Sequence, residues 1–411
     1  MMPYFRTTLF SFVQFHIFLA ALFLMTMLSG SAFAQMKPGF APDEARDLVA
    51  LCNSFGFLEM YDSDADIIPV GYQRVFSSGV FGMDNMYQVY IKGQTGVINF
   101  RGSTDDQKSW LANFTSAMIP AQGEMMLRDR VFAYHMSEDT TAAIHSGYAV
   151  GLGFLQESLL GQVQALNARG IYDIYITGHS QGGALAILTM AYLHGLPEAT
   201  LSSQNRFKTY AFANPMVGNK SFSIDYNRRF ADTGWSFSVV NLADPVPKLP
   251  VSYMEEKALS RQGISSLLGA EEGFDTGELL KSAFLQTFER KATQYLQSFS
   301  SHANQRIAKD LGEVILPPYV DDINYYVTGV RKELYPFEYP KILRDSTILE
   351  NDSLMAVLPR DKQGYFVDES LYQKSPTFYQ HKPHNYYVAV LKAYFPEDYQ
   401  TLSVKCLPEN L

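Results

Sequence analysis

At 411 residues with 47% hydrophobic content, the chain is long enough to bury a substantial core, either as one large α/β domain with insertions or as two domains. A formal charge of −9 argues against a nucleic-acid partner, which favours a basic surface, and no basic block marks recognition of an anionic membrane. No cluster of His, Cys and carboxylates stands at metal-ligand spacing, so no metal or cofactor is expected.

Residues 1–34 contain Arg6 and His16 as their only basic side chains, then an almost wholly apolar run from Ile17 through Leu28. That run is short for a membrane span, and Ala32-Phe33-Ala34 supplies a small-x-small cleavage pattern. A secretory signal peptide is expected, with the mature domain spanning 35–411 and located outside the cell or in the periplasm; an uncleaved anchor is the rival reading. The two cysteines, Cys52 and Cys406, then meet an oxidising compartment and are expected to form a disulfide joining the ends of the mature chain, with two buried free thiols as the alternative.

Pro42 and Asp43 open a helix that carries Ala45, Leu48, Val49 and Cys52 at helical spacing. Asp62-Ser63-Asp64-Ala65-Asp66 begins like a calcium loop but has Ile67 where glycine is required and Gln73 where glutamate is required, so it reads as a solvated turn. Short β-type pieces follow at Val70–Phe76, Met86–Ile91 and Gly96–Phe100, then a long helix from Gly147 to Ala168. The apolar alternation Ile171–Thr177 leads to a second helix, and further strands are expected at Phe207–Ala213 and Ser236–Leu242. Strands alternating with helices predict an α/β-hydrolase architecture, a mainly parallel central sheet with helices on both faces. Beyond Pro250 the pattern turns helical, notably over Gly277–Ser301, predicting a helical insertion at about 252–320. Ile323–Val327 reads as strand and core, and Met355–Val367 as a hairpin around its Pro, Asp and Gly.

Between the strand ending near Thr177 and the helix starting near Ala184 lies Gly178-His179-Ser180-Gln181-Gly182. A GxSxG turn there holds the serine exposed on a strained backbone, with glycines where strand and helix come too close for a Cβ. A serine hydroxyl becomes a nucleophile when an imidazole takes its proton and a carboxylate orients that imidazole, and in this fold the chain order is serine, acid, histidine. Asp244, at the exit of the strand Ser236–Leu242, stands where open α/β sheets place active groups; Asp225 and Asp232 read as solvated. Of the later histidines, His194 comes too early and His302 lies in a polar helical run. Pro383 opens a helix, leaving His381 in the preceding loop and His384 in its first turn; the loop position favours His381, with His384 as the rival base. Backbone donors for an oxyanion are expected from Gln181 and from Ser103 in the loop after Val97–Phe100.

Several separated motifs resemble the class 3 lipase family, which includes the secreted fungal triacylglycerol lipases. They are Phe100-Arg101-Gly102-Ser103 with Trp110, Leu111 and Asn113; His145-Ser146-Gly147-Tyr148; Gly178–Gly183; Asn214–Asn219; and Asn241-Leu242-Ala243-Asp244-Pro245-Val246-Pro247-Lys248-Leu249-Pro250. Together they cover about residues 90 to 250 plus the last helix. The resemblance implies a Ser180–Asp244–histidine triad, an oxyanion hole at Ser103 and Gln181, and a lipid or ester substrate met at a lipid–water interface. His381, with Asn385-Tyr386 beyond Pro383, is similar to the bacterial form of the histidine segment; His384, with Tyr387, is similar to the fungal form.

The chain departs from the family at three places. Gln181 replaces a usual apolar residue and makes the pocket more polar. The interval from Asp244 to His381, 137 residues, is long for the family. Met118, Ile119, Met125, Met126 and Leu127 stand where a mobile lid is expected, with an ordinary packed connection as the alternative. Within this class, triacylglycerol, phospholipid and short soluble esters are competing substrates, and a lipid-binding protein that has lost turnover is the non-enzymatic alternative.

Overall fold

The computed structural model describes residues 35–61, 68–104, 112–113, 115–250, 312–376 and 378–407. Contacts divide the chain into Met1–Lys37, of which the described residues 35–37 carry no helix or strand, and Pro38–Leu411, which holds every element named below. The signal-peptide segment, the Asp62–Asp66 turn, Trp110, Leu111, His302 and most of the expected helical insertion lie outside the described residues.

The central sheet contains β1 (Gln73–Ser77), β2 (Tyr87–Lys92), β3 (Thr95–Phe100), β8 (Asp173–His179), β9 (Arg206–Phe212), β10 (Ser236–Asn241) and β12 (Val330–Leu334), in that spatial order. The pairs β1–β2 and β2–β3 are antiparallel; from β3 through β12 every neighbour is parallel. Its inner strands are covered on both faces, and the alternation of side chains shows how. Tyr175, Thr177, Lys208, Tyr210 and Asn99 turn to the helix α1 (Pro42–Tyr61) through contacts with Glu44, Leu51 and Cys52. Ile98, Ile174, Ile176, Phe207 and Ala211 turn the other way, into the core shared with α2 (Ser146–Ala168) and α3 (Gln181–His194). This two-sided burial makes β8 and β9 read as nearly continuous apolar or aromatic runs. The architecture is that of an α/β-hydrolase.

Two smaller sheets are built mainly from the chain between β3 and α2. β4 (Met118–Pro120) pairs with β7 (Ala143–His145), while β5 (Gln122–Leu127) and β6 (Arg130–His135) form a hairpin extended by β11 (Val314–Ile315). Met118, Ile119, Met125 and Leu127 are buried in these sheets, so this stretch is the packed connection, not a lid; its apolar side chains serve the core. The described tail of the expected helical insertion also differs: Val314 and Ile315 are extended because they complete the β5 edge.

Other expectations need correcting. Met355–Val367 starts in a short helix, Asp352–Val357, capped by the Asn351 side chain, and only Arg360 and Phe366 bridge across the Asp361–Gly364 turn. Tyr325 is core, its hydroxyl donating to Ser116 O at 2.6 Å, but Ile323–Val327 forms only the isolated bridge of Tyr326 with Gly218. Asp225 is not solvated: buried on α4 (Lys220–Tyr226), it accepts from the Ser137 hydroxyl, the Glu138 N–H and the guanidinium groups of Arg228 and Arg229. Cys52 and Cys406 are unbridged. The Cys52 thiol faces the sheet, donating to Asn99 Oδ1 at 3.4 Å, and burial pushes it up to about 12.

Candidate active site

β8 enters the turn at His179, and Ser180 takes φ 58° and ψ −127° before Gln181 starts α3. The left-handed φ is strained for a residue with a Cβ and lifts Ser180 off the strand end. Its N–H is held by Phe212 O on β9 at 2.9 Å. A Cβ on Gly178 would lie 2.4 Å from the Gly182 carbonyl, and one on Gly182 would lie 2.4 Å from Phe100 O, so strand and helix can cross here only with glycine at both positions.

The other two groups arrive from distant parts of the chain. Asp244 follows β10 in a turn closed by its N–H to Asn241 O, and its Oδ1 accepts from the Val246 N–H at 2.9 Å. His381 ends a single 3-10 turn, Tyr379–His381, and Pro383 then opens α5 (Pro383–Tyr394) at its first position. His381 Nε2 lies 2.9 Å from Ser180 Oγ, and Nδ1 lies 2.8 Å from Asp244 Oδ2. Asp244 and His381 are buried while Ser180 keeps partial exposure. His384 is turned elsewhere, its Nε2 at 3.1 Å from Val404 O.

A second layer of hydrogen bonds fixes this geometry. The Tyr386 hydroxyl donates to Asp244 Oδ2 at 2.6 Å and accepts from the Asn241 N–H at 2.9 Å. Asn241 Nδ2 donates to Gln380 Oε1 at 2.8 Å, and Gln380 Nε2 donates to Phe337 O at 2.7 Å, joining the exit of β10 to the residue before His381. The His179 ring lies 4.7 Å from that of His381; burial first, and the neighbouring imidazole second, hold it well below the usual histidine range and so neutral.

On the opposite side of Ser180, the loop after β3 approaches so closely that a Cβ on Gly102 would sit 3.0 Å from His179 O. Asp84, on the turn before β2, binds the Arg101 guanidinium at 2.8 Å and accepts from the Thr104 hydroxyl, which anchors the loop. Within it, Ser103 Oγ accepts from Asn113 Nδ2 and donates to Gln181 Oε1, both at 2.9 Å. Gln181 Nε2 in turn donates to Asn85 Oδ1 at 3.0 Å.

The His145-Ser146-Gly147-Tyr148 motif supports this assembly from below. His145 caps α2, its Nδ1 accepting from the Tyr148 N–H, while the Ser146 and Gly147 N–H groups donate to Ala117 O and Thr115 O. A Cβ at Gly147 would strike Ala112 O at 2.1 Å. The Tyr148 hydroxyl donates to Asn113 Oδ1 at 3.0 Å, so the motif orients the amide that reaches Ser103. Burial lowers His145 to about 3, which keeps the cap neutral.

The structure therefore brings Ser180, Asp244, His381, Ser103 and Gln181 together and leaves His384, Cys52 and Cys406 out. Sequence reasoning missed Tyr386, Gln380, Asp84 and Asn85 as members of the assembly. Asn385-Tyr386 stood in the motif that singled out His381, but nothing local marked Tyr386 as a partner of Asp244, which lies 142 positions away in the chain. Among the described residues, no group of three or more His, Cys, Asp or Glu is arranged to hold a metal ion.

Fold and site together define an α/β-hydrolase with a serine at the elbow. Residues 97–254 match the family described as lipase (class 3). The chain is 29% identical over 142 residues to a secreted mono- and diacylglycerol lipase of Fusarium solani, covering 32% of this chain and 39% of the relative. It is 32% identical over 136 residues to a lipase of Caenorhabditis elegans, covering 33% of this chain and 35% of the relative. The chain thus spans well under half the length of these two relatives. Among solved structures, the triacylglyceride lipase of Rhizomucor miehei aligns with 23% identity and a TM-score of 0.39 over 51% of this chain and 74% of that one.

Proposed function

We propose that this protein is a serine ester hydrolase acting on lipid esters, with Ser180 as nucleophile, His381 as general base and then acid, and Asp244 as the carboxylate that orients it. The observation that carries the reading is the unbroken line from Ser180 Oγ through both nitrogens of His381 to Asp244 Oδ2. With Asp244 accepting from Nδ1–H, Nε2 is the nitrogen left to take the Ser180 proton. Ser180 Oγ attacks the ester carbonyl, and the oxyanion is held by the backbone N–H groups of Gln181 and Ser103. His381 then passes its proton to the leaving alcohol, leaving an acyl-serine. Water, deprotonated by the same imidazole, releases the acid and restores Ser180.

A lipid ester is favoured over other esters because the relatives matching the segment are described as lipases, one of them acting on mono- and diacylglycerols. The apolar N-terminal run and the Ala32-Phe33-Ala34 pattern support action outside the cytoplasm, after cleavage near Ala34. Phospholipid and short soluble esters compete as substrates, so 4-nitrophenyl esters of increasing chain length should be compared with emulsified triglyceride and phospholipid. Ser180→Ala is expected to abolish turnover and fluorophosphonate labelling while leaving the melting temperature near wild type. Retained turnover and labelling would falsify the reading, and a folded wild-type protein that binds lipid but neither labels nor turns over would favour the lipid-binding alternative.

A further inference from the structure

Position 181, immediately after the nucleophile, carries a buried amide, and that amide accepts from the Ser103 hydroxyl in the loop after β3. Its orientation is set from behind: Nε2 is directed at Asn85 Oδ1, leaving Oε1 facing Ser103. Ser103 is likewise constrained, because Asn113 Nδ2 donates into its oxygen and the Tyr148 hydroxyl fixes Asn113 by donating to Oδ1. A hydroxyl has one proton. With Asn113 donating to the Ser103 oxygen, that proton can serve only one acceptor at a time, and at rest it serves Gln181 Oε1 at 2.9 Å.

We propose that Gln181 is the resting acceptor of the Ser103 hydroxyl, and that this O–H turns from Gln181 Oε1 to the substrate oxyanion as the tetrahedral intermediate forms, which makes the Gln181 side chain a competitor of the oxyanion for that hydroxyl. No bond to hydrogen breaks in this step; the Ser103 proton stays on its oxygen and changes partner. The Ser103 hydroxyl then adds a third donor to the two backbone N–H groups, but its contribution is offset by the hydrogen bond to Gln181 that must be given up. Position 181 therefore tunes turnover through Ser103. The inference rests on the ester-hydrolase reading above.

The test is a double-mutant cycle on the full chain with soluble 4-nitrophenyl butyrate, comparing wild type, Gln181→Leu, Ser103→Ala and the double variant. Rates are normalised to active sites counted by fluorophosphonate titration, so that partial misfolding does not enter kcat. Removing a neutral acceptor is expected to raise kcat on the order of fivefold with KM little changed when Ser103 is present, and that gain is expected to disappear when the Ser103 hydroxyl has been removed. Gln181→Met, which keeps the length and loses the acceptor, is expected to reproduce the gain and carries the test if the leucine variant does not fold. Equal effects of the 181 substitution with and without the Ser103→Ala change, or a fall in kcat with Ser103 present, overturn the inference while the hydrolase reading stands. A wild-type protein without turnover or labelling overturns both.

Discussion

His381 and His384 are three positions apart, yet one lies 2.9 Å from Ser180 Oγ and the other lies against the carbonyl of Val404. Pro383 separates their fates, because the extended residue before the proline lets His381 point back over the elbow while His384 is carried round by the first turn of α5. His381→Ala is accordingly expected to remove ester hydrolysis, and His384→Ala to retain most of it, read as kcat on a soluble ester; the reverse pattern would move the base. Asp244→Asn should cost about 10³- to 10⁴-fold in kcat, since an amide cannot hold the imidazole in the tautomer that leaves Nε2 open. Tyr386 acts through Asp244, so Tyr386→Phe should lower kcat on the order of tenfold, the share of one hydrogen bond to a charged group. Its KM should hold while the acidic limb of the kcat/KM profile moves, whereas a merely structural tyrosine would leave that limb in place.

The start of α2 ties helix stability to pH. His145 is fully buried as the N-cap, stacked on Tyr148 with ring centroids 3.9 Å apart, and its burial-lowered pKa of about 3 lies below the ordinary histidine value of 6.5. Between those two pH values the unfolded chain binds a proton that the folded chain refuses, so stability is full above about pH 6.5 and falls as the pH drops, with no further loss from this group below about 3. The full difference corresponds to roughly 4 to 5 kcal/mol. Asparagine is a good N-cap with no titrating group, so His145→Asn should flatten the fall in melting temperature between pH 6.5 and 4 while losing some stability at neutral pH through the missing ring stack. An unchanged slope would show that His145 does not carry this acid sensitivity. Burial of His179 works in the same direction, so part of the slope should persist.

At the scale of the whole molecule, one charged cluster fastens α1 to the sheet. Glu44 accepts from Lys208 Nζ at 2.5 Å and from the hydroxyls of Tyr175 and Tyr210, each at 2.6 Å, so a single side chain near the start of the helix grips β8 and β9 together. The Lys208 side chain is only 1% exposed, which makes the pair asymmetric: Glu44 keeps some access to water and the ammonium has almost none. Glu44→Ala should therefore cost on the order of 3 to 5 kcal/mol in denaturant unfolding by leaving a buried charge without this partner. Combining it with Lys208→Met should restore most of the loss, and a double variant no better than the single one would assign the cost to lost packing instead. The same face explains the unbridged Cys52, whose thiol is committed to the layer between α1 and the sheet.

What the chain's order of residues determined was the local chemistry. GxSxG between an apolar strand and a helix former dictates an elbow because the glycines are demanded by backbone proximity, and a proline two positions after His381 dictates where the last helix begins. The parallel sheet followed from the same local patterns, since strands buried on both faces must be apolar throughout. Distances across the fold were decided elsewhere. Whether Asp225 is solvated, whether Cys52 meets Cys406, whether Met118 to Leu127 are lid or core, and which amide aims Ser103 all depend on what lies opposite. Asn85 and Gln181 are 96 positions apart, and Asn241 and Gln380 are 139 apart. A side chain's composition and neighbours in sequence carry no information on such partners, because the hydrogen bonds that give those residues their roles exist only once the sheet has brought β2, α3, β10 and the His381 loop to one edge.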